Sequence, residues 1–385
     1  MRADISQFYG SIYTHSVPWA LHTKPVAKAS MKVKTLPGNV LDRELQACQF
    51  GQTKGIAIGP DTSLGIAELL LSSIDLRIKD ECGAVGGMRF IDDMEFTFRR
   101  ISDAETALQS LEAFLNTFEL QLNSAKTKII ELPDQIESVY VTMLRPHVPT
   151  TYGALASHWI DFFNRAFIAA RAHPSDTVLR YAVSAMQGVV SAPAAWGIGQ
   201  SLLWQCISAD PGCLRFVVDV LLINKAFGND IDIDIATEAI NSLIKTSCPV
   251  GHGSEVLWSI WSALILNIPV DIASQEAIAG MDDCFVACAA QIAKERGLFA
   301  TSFESSLWAS WLVEEAFTQD RWLFAYEALL RGWYPSAVAA AKIGSDPNAV
   351  FLASKGVTFI EGSSLDDYTP SKLINGQVTA ADGVY

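Results

Sequence analysis

The sequence predicts an α+β domain built around a small antiparallel sheet, followed by an all-α region. Three observations predict it. Residues 86–98 alternate apolar and polar side chains around Asp92-Asp93, the period-two rhythm of a β-hairpin. The stretches after Asp61 and Asp103 instead repeat apolar residues every three or four positions, the rhythm of helices. Beyond Pro133, apolar helical segments follow one another between breaks such as His173-Pro174, Asp210-Pro211-Gly212 and Cys248-Pro249. The expected organisation is an α+β domain over 1–135, an all-α domain over 136–360 and a polar tail over 361–385.

Taken in order, Asp4 closes a short strand and Tyr9 follows five positions later. Gly55-Ile56-Ala57-Ile58-Gly59-Pro60 leads into a helix whose apolar stripe is Ile66, Leu69, Leu70 and Ile74, with Asp61-Thr62-Ser63 as its capping oxygens. In the hairpin, Met88 and Phe90 on one strand and Met94, Phe96 and Phe98 on the other predict one apolar face, with Asp92 and Asp93 at the tip. A second helix is expected over Asp103–Leu122, with Lys126 at the end of its stretch, where the helix dipole favours a cation. In the all-α region nine of the ten tryptophans lie beyond residue 150, which suits helix-pair packing. The spacing of the breaks suggests repeat-like helical hairpins, although no fixed period runs through them.

The charge balance sets a constraint on partners. The formal net charge is −14, awkward for a protein that grips a polyanion, since affinity for phosphates comes from Lys and Arg. Residues 1–150 hold 15 Lys and Arg against 18 Asp and Glu, and the remainder 13 against 24. The acidity therefore sits mainly in the C-terminal part and leaves room for a local basic groove in the N-terminal part. A hydrophobic content of 50% excludes a disordered, solvating chain.

The seven cysteines are odd in number and scattered, and no apolar run follows Met1, so a reduced cytoplasmic protein is expected. Cys284 and Cys288, four apart, read as buried thiols rather than metal ligands. Residues 256–270 are apolar but fall short of the roughly 20 residues a spanning helix needs, so no membrane partner is expected. Asp230, Asp232 and Asp234 open like a calcium loop, but Ile235 and Asn241 stand where that loop needs Gly and Glu; a loop capping the next helix is the reading.

The ordered set Asp4–Tyr9, Gly55–Pro60, Phe90–Asp93 and Leu120–Lys128 resembles motifs A to D of the reverse transcriptase palm. Phe8–Ser16, Gly38–Asp42, Gly55–Ser63 and Arg89–Asp93, with His252–Trp258 and Trp322–Ala328 further on, look most like the bacterial abortive-infection and defence-associated reverse transcriptases of the unknown group. The resemblance implies RNA-directed or untemplated DNA synthesis from dNTPs on a nucleic acid (RNA template, DNA primer), an anti-phage role and homo-oligomers.

It also implies roles for residues. Asp4, Asp92 and Asp93, with the Ile5 carbonyl, would hold two Mg2+ ions, for which Mn2+ could substitute. Tyr9 would exclude a ribose 2′-hydroxyl. Gly55, Gly59 and Pro60 would approach the nascent base pair and template, and Lys126 the pyrophosphate leaving group. Two-metal phosphoryl transfer needs such carboxylates on adjacent strands.

Three departures stand out. Lys54 occupies a position where the family usually has Gln, Ala57 stands where Pro is common, and only three residues precede Asp4. The family's basic fingers would lie there, so this chain is expected to lack them and to polymerise poorly. The alternative is a non-catalytic, truncated palm acting as a helical assembly scaffold.

Overall fold

A computed structural model describes residues 1–149, 152–360, 365 and 367–375. The chain divides into two compact units, Met1–Ile136 and Glu137–Tyr385. Most of the expected polar tail lies outside the described residues.

The first unit holds strand β1 (Arg2–Ala3), helices α1 (Phe8–Ser11), α2 (Ser16–His22), α3 (Lys24–Ala29), α4 (Pro37–Ala47) and α5 (Asp61–Glu81), the hairpin β2 (Gly86–Phe90) and β3 (Asp93–Thr97), and helix α6 (Ile101–Thr117). The sheet runs β1-β3-β2, and both pairs are antiparallel. Its core combines Ala3, Met94 and Phe96 from the sheet with Ile66, Leu70 and Ile74 of α5 and Leu111 and Leu115 of α6. Burial of each large apolar side chain contributes about 1.5–3 kcal/mol.

The hairpin does not have the single apolar face expected for it. Phe90 pairs with Asp93, Met88 with Glu95 and Arg89 with Met94, and directly paired residues share a face. A tip of two residues, Ile91 and Asp92, therefore sends Met88 and Phe90 to the face opposite Met94 and Phe96. Met88 and Phe90 are 67% and 74% exposed, whereas Met94 is 1% exposed. Gly87 pairs with Phe96, and a Cβ there would stand 2.5 Å from the ring.

Two helix boundaries also differ from expectation. Asp61 is the first residue of α5, and Pro60 occupies the N-cap with no side-chain cap bond. Asp61 thus complements the helix dipole from within the first turn rather than capping it. Helix α6 ends at Thr117, well short of Leu122, because Glu119 adopts φ 64°. Its amide reaches the Asn116 carbonyl at 3.1 Å and the Leu120 amide reaches that of Leu115 at 3.1 Å. These are the two bonds of a Schellman stop, here with Glu where Gly is usual. Lys126 is therefore on a turn, not at a helix end.

The second unit is helical. It includes α7 (Val139–Leu144), α8 (Ala156–Ala172), α9 (Val178–Ala185), α10 (Trp196–Ala209), α11 (Leu214–Ala226), α12 (Ile233–Ser247), α13 (Gly253–Leu266), α14 (Ile272–Ala279) and α15 (Cys284–Glu295). Helices α12 and α13 pack together, as do α13 and α15, and α8 and α10. Asp232 caps α12 by accepting from the Ile235 amide at 3.1 Å, the capping role read for that acidic loop.

Beneath α8 and α11 lies a polar core. Trp159 Nε1 donates to Ser191 Oγ at 3.1 Å, and Asn224 Oδ1 accepts from the Ser191 amide at 2.8 Å. Asn224 Nδ2 in turn donates to the Val189 and Val220 carbonyls. Among the described residues, no helix is long and apolar enough to cross a membrane.

Candidate active site

Through β1 and just beyond it the chain runs Arg2, Ala3, Asp4 and Ile5. Ala3 and Ile5 are buried in the core, so Asp4 belongs to the other face of the sheet. Ala3 pairs with Met94. Continued by one residue, that register would set Asp4 across from Asp93.

The outer edge of β1 is covered by residues 121–128. Asn123 donates its amide to the Asp4 carbonyl at 2.8 Å, and the Arg2 amide donates to the Lys128 carbonyl at 2.8 Å. Ile5 bridges Leu122 through its backbone. Within this segment Asn123 organises a turn by accepting at its carbonyl from the Lys126 and Thr127 amides and at Oδ1 from the Ala125 amide. The turn brings Lys126 Nζ to 2.9 Å from Asp4 Oδ2, although most of that side chain stays exposed.

Asp4 is only 5% exposed, so a nearby cation is its electrostatic counterpart. The hydrogen bond to Asp4, then its charge and those of Asp93 and Asp92, hold the Lys126 ammonium above its ordinary pKa. Asp92 is affected in the opposite sense for an acid. Burial first, then repulsion from Asp4 and Asp93, pushes its carboxyl above the ordinary range, while Lys126 and a bond to its own backbone oppose the rise. The four side chains thus form one electrostatic cluster.

Arg89 carries a positioning role that the sequence reading missed. Its guanidinium bonds Glu68 through both Nη atoms at 2.8 Å, Asp75 through Nε at 3.0 Å and Nη2 at 2.9 Å, and the Ile91 carbonyl at 3.0 Å. Ile91 has φ 56°, an unfavourable conformation for a β-branched residue. Arg89 therefore ties the hairpin tip, and with it Asp92, to α5. The available signal was the seven-residue spacing of Glu68 and Asp75, which sets both carboxylates on one face of a helix.

The remaining expected residues sit beside α1. The Gly55 amide donates to the Ile12 carbonyl at 2.8 Å and the Ile56 amide to the Tyr9 carbonyl at 2.9 Å. Gly55 has φ 83°, and a Cβ there would meet the Gly10 carbonyl oxygen at 3.3 Å. Gly59, at φ 114°, turns the chain into Pro60 and α5. Tyr9 is half-buried at the margin of the core and packs at a tilt on Phe8, with ring centroids 5.4 Å apart.

Three carboxylates are the donor chemistry that suits Mg2+, and the Lys126 ammonium lies where positive charge is needed. Among the described residues, however, no group of three or more His, Cys, Asp or Glu side chains is gathered closely enough to hold a metal ion. The donor set fits the ion in its chemistry, with Asp4 engaged by Lys126 in this arrangement.

Three carboxylates and a lysine thus lie near one end of a small antiparallel sheet. Residues 1–153 match the family model described as reverse transcriptase (RNA-dependent DNA polymerase). The match supports a nucleotidyl-transferring DNA polymerase, with nucleic acid and nucleotides as the substrates that the family implies. No curated protein matches the chain.

Proposed function

We propose that this protein is an RNA-directed or untemplated DNA polymerase that joins dNTPs to a primer hydroxyl. The observation that carries the reading is the electrostatic cluster of Asp4, Asp92, Asp93 and Lys126 at one end of the sheet. Asp4, Asp92 and Asp93, with the Ile5 carbonyl, would hold two Mg2+ ions, which when bound supply charge neutralisation and activation of the hydroxyl.

The protein's own part is positioning. The primer oxygen attacks the α-phosphorus in line, and the bond from that phosphorus to the pyrophosphate oxygen breaks. Lys126, once released from Asp4, is the group that can deliver a proton or positive charge to the leaving pyrophosphate. Tyr9 would stand against the sugar and disfavour a 2′-hydroxyl, while Gly55, Gly59 and Pro60 let backbone approach the base pair. A role in anti-phage defence and assembly into homo-oligomers rest on the resemblance to defence-associated reverse transcriptases.

The test is incorporation of labelled dNTP on a primed template with Mg2+, comparing the full chain with Asp92→Asn. Loss of product in the variant is expected; equal product from both would remove the catalytic claim. Tyr9→Ala should relax the preference for dNTP over NTP.

A further inference from the structure

A second feature of the first unit lies apart from the carboxylates. Between Ile5 and Leu41 the sequence has no acidic residue and four lysines, Lys24, Lys28, Lys32 and Lys34, in a protein of net charge −14. Lys24 is engaged, its Nζ 3.9 Å from the centre of the Trp19 ring and 3.2 Å from the Thr117 carbonyl. Lys28, Lys32 and Lys34 are exposed and have no ion-pair or hydrogen-bond partner among the described residues.

Helices α2, α3 and α4 enclose a cleft of about 360 Å³ to which Tyr13, His15, Lys28, Lys34 and Arg43 contribute. That is near the lower end of small-ligand sites, room for about one nucleotide unit. Its polar wall is fixed from behind. His15 Nδ1 lies 2.5 Å from Asp42 Oδ2, and Gln46 Nε2 donates to Asp42 Oδ1 at 2.6 Å. With Nδ1 committed and Asp42 buried, His15 Nε2 is the ring nitrogen left for a ligand, and none of the described residues bonds it. Tyr13 stands edge-on to His15 at 4.8 Å and to Trp19 at 5.8 Å, so its ring is braced on two sides.

We propose that this cleft binds single-stranded nucleic acid, with phosphates on Lys28 and Lys34 and one base against Tyr13 and His15. Unpaired lysines beside a braced aromatic side chain are the chemistry of single-strand sites, where phosphate neutralisation and base stacking combine. A duplex keeps its bases stacked and presents none to a cleft of this size. The choice of nucleic acid over other polyanions rests on the polymerase reading; the binding itself does not, because it uses none of the carboxylates.

The experiment measures fluorescence anisotropy of labelled oligo(dT) and oligo(rU) of about 15 nucleotides with the full chain, without Mg2+ or dNTP. The unmodified protein should prefer these strands to a duplex of the same length. Lys28→Glu/Lys34→Glu, both on exposed positions, should weaken binding at least about tenfold and reduce the salt slope by about 1.4, the counterion release of two single-strand phosphates. Tyr13→Leu should weaken single-strand binding by about tenfold or more with the slope unchanged.

Asp92→Asn should bind like the unmodified protein. Binding by an unmodified protein that incorporates no dNTP would leave this inference standing while the polymerase reading fails. Affinity in the double variant within about twofold of the original, or a preference for duplex, would overturn it.

Discussion

Replacing Arg89 by leucine removes, at one stroke, the guanidinium that bonds Glu68, Asp75 and the Ile91 carbonyl. The cost can be worked from exposure. The Glu68 side chain is 49% exposed, so its pair is screened and contributes at most about 1 kcal/mol. The Asp75 side chain is 35% exposed and bonds two nitrogens, which adds about 1 kcal/mol after the same discount. The Ile91 carbonyl loses a charge-assisted bond that holds a strained turn, about another 1 kcal/mol. The sum is about 2–3 kcal/mol, concentrated at the hairpin. Local opening should therefore rise about 30- to 150-fold, at tenfold per 1.4 kcal/mol. Hydrogen–deuterium exchange of the amides in 86–97 reads this directly. Arg89→Lys, a point charge in place of a planar fork, should recover only part of the protection. Exchange in the leucine variant within about threefold of the original would refute the idea that Arg89 holds the tip.

Three further outcomes follow from the same geometry. Because the folded Asp92 carboxyl is raised, the native state holds that proton more tightly than the unfolded chain, and this contribution to stability is lost as pH rises through the folded value. Asp92→Asn should accordingly melt above the original protein at pH near 7 in chelator, by calorimetry, with the difference closing as pH falls toward about 4. Gly55→Ala places a Cβ 3.3 Å from the Gly10 carbonyl oxygen at φ 83°; urea unfolding should show a loss of about 1–2 kcal/mol, most of it strain in the left-handed conformation. Asn224→Leu strands the Ser191 amide and the Val189 carbonyl in the second unit; a loss of about 2–4 kcal/mol in thermal unfolding is expected, and a change below about 0.5 kcal/mol would mean the network relaxes at no cost.

Local signals in the sequence carried much of the first unit. The hairpin and the helix after Pro60 were legible because a period-two rhythm and a helical stripe each leave a mark within a few residues. Parity was not. Apolar alternation on two strands says nothing of how many residues turn the tip, and one residue more or less moves Met88 and Phe90 to the other face. The end of α6 was hidden for a related reason. A Schellman stop is announced by Gly, and here Glu119 takes the left-handed position, so the apolar stripe alone ran the expected helix on to Leu122.

The candidate site divides along the same line. Asp4, Asp92, Asp93 and Lys126 could be singled out as an ordered set of short motifs, yet their spacing says nothing of how Asp4 is satisfied. That depends on residues 121–128 lying along the outer edge of β1, a pairing made by backbone bonds that leave no pattern in side chains. The same pairing buries Asp4 and brings Lys126 to it from 122 residues away. Burial makes an unpaired Asp4 carboxylate costly, by several kcal/mol. In this arrangement the cation that pairs with it is Lys126. On the polymerase reading, a metal ion taking the place of Lys126 at Asp4 would free that lysine for the substrate, so the two roles would be coupled through one carboxylate.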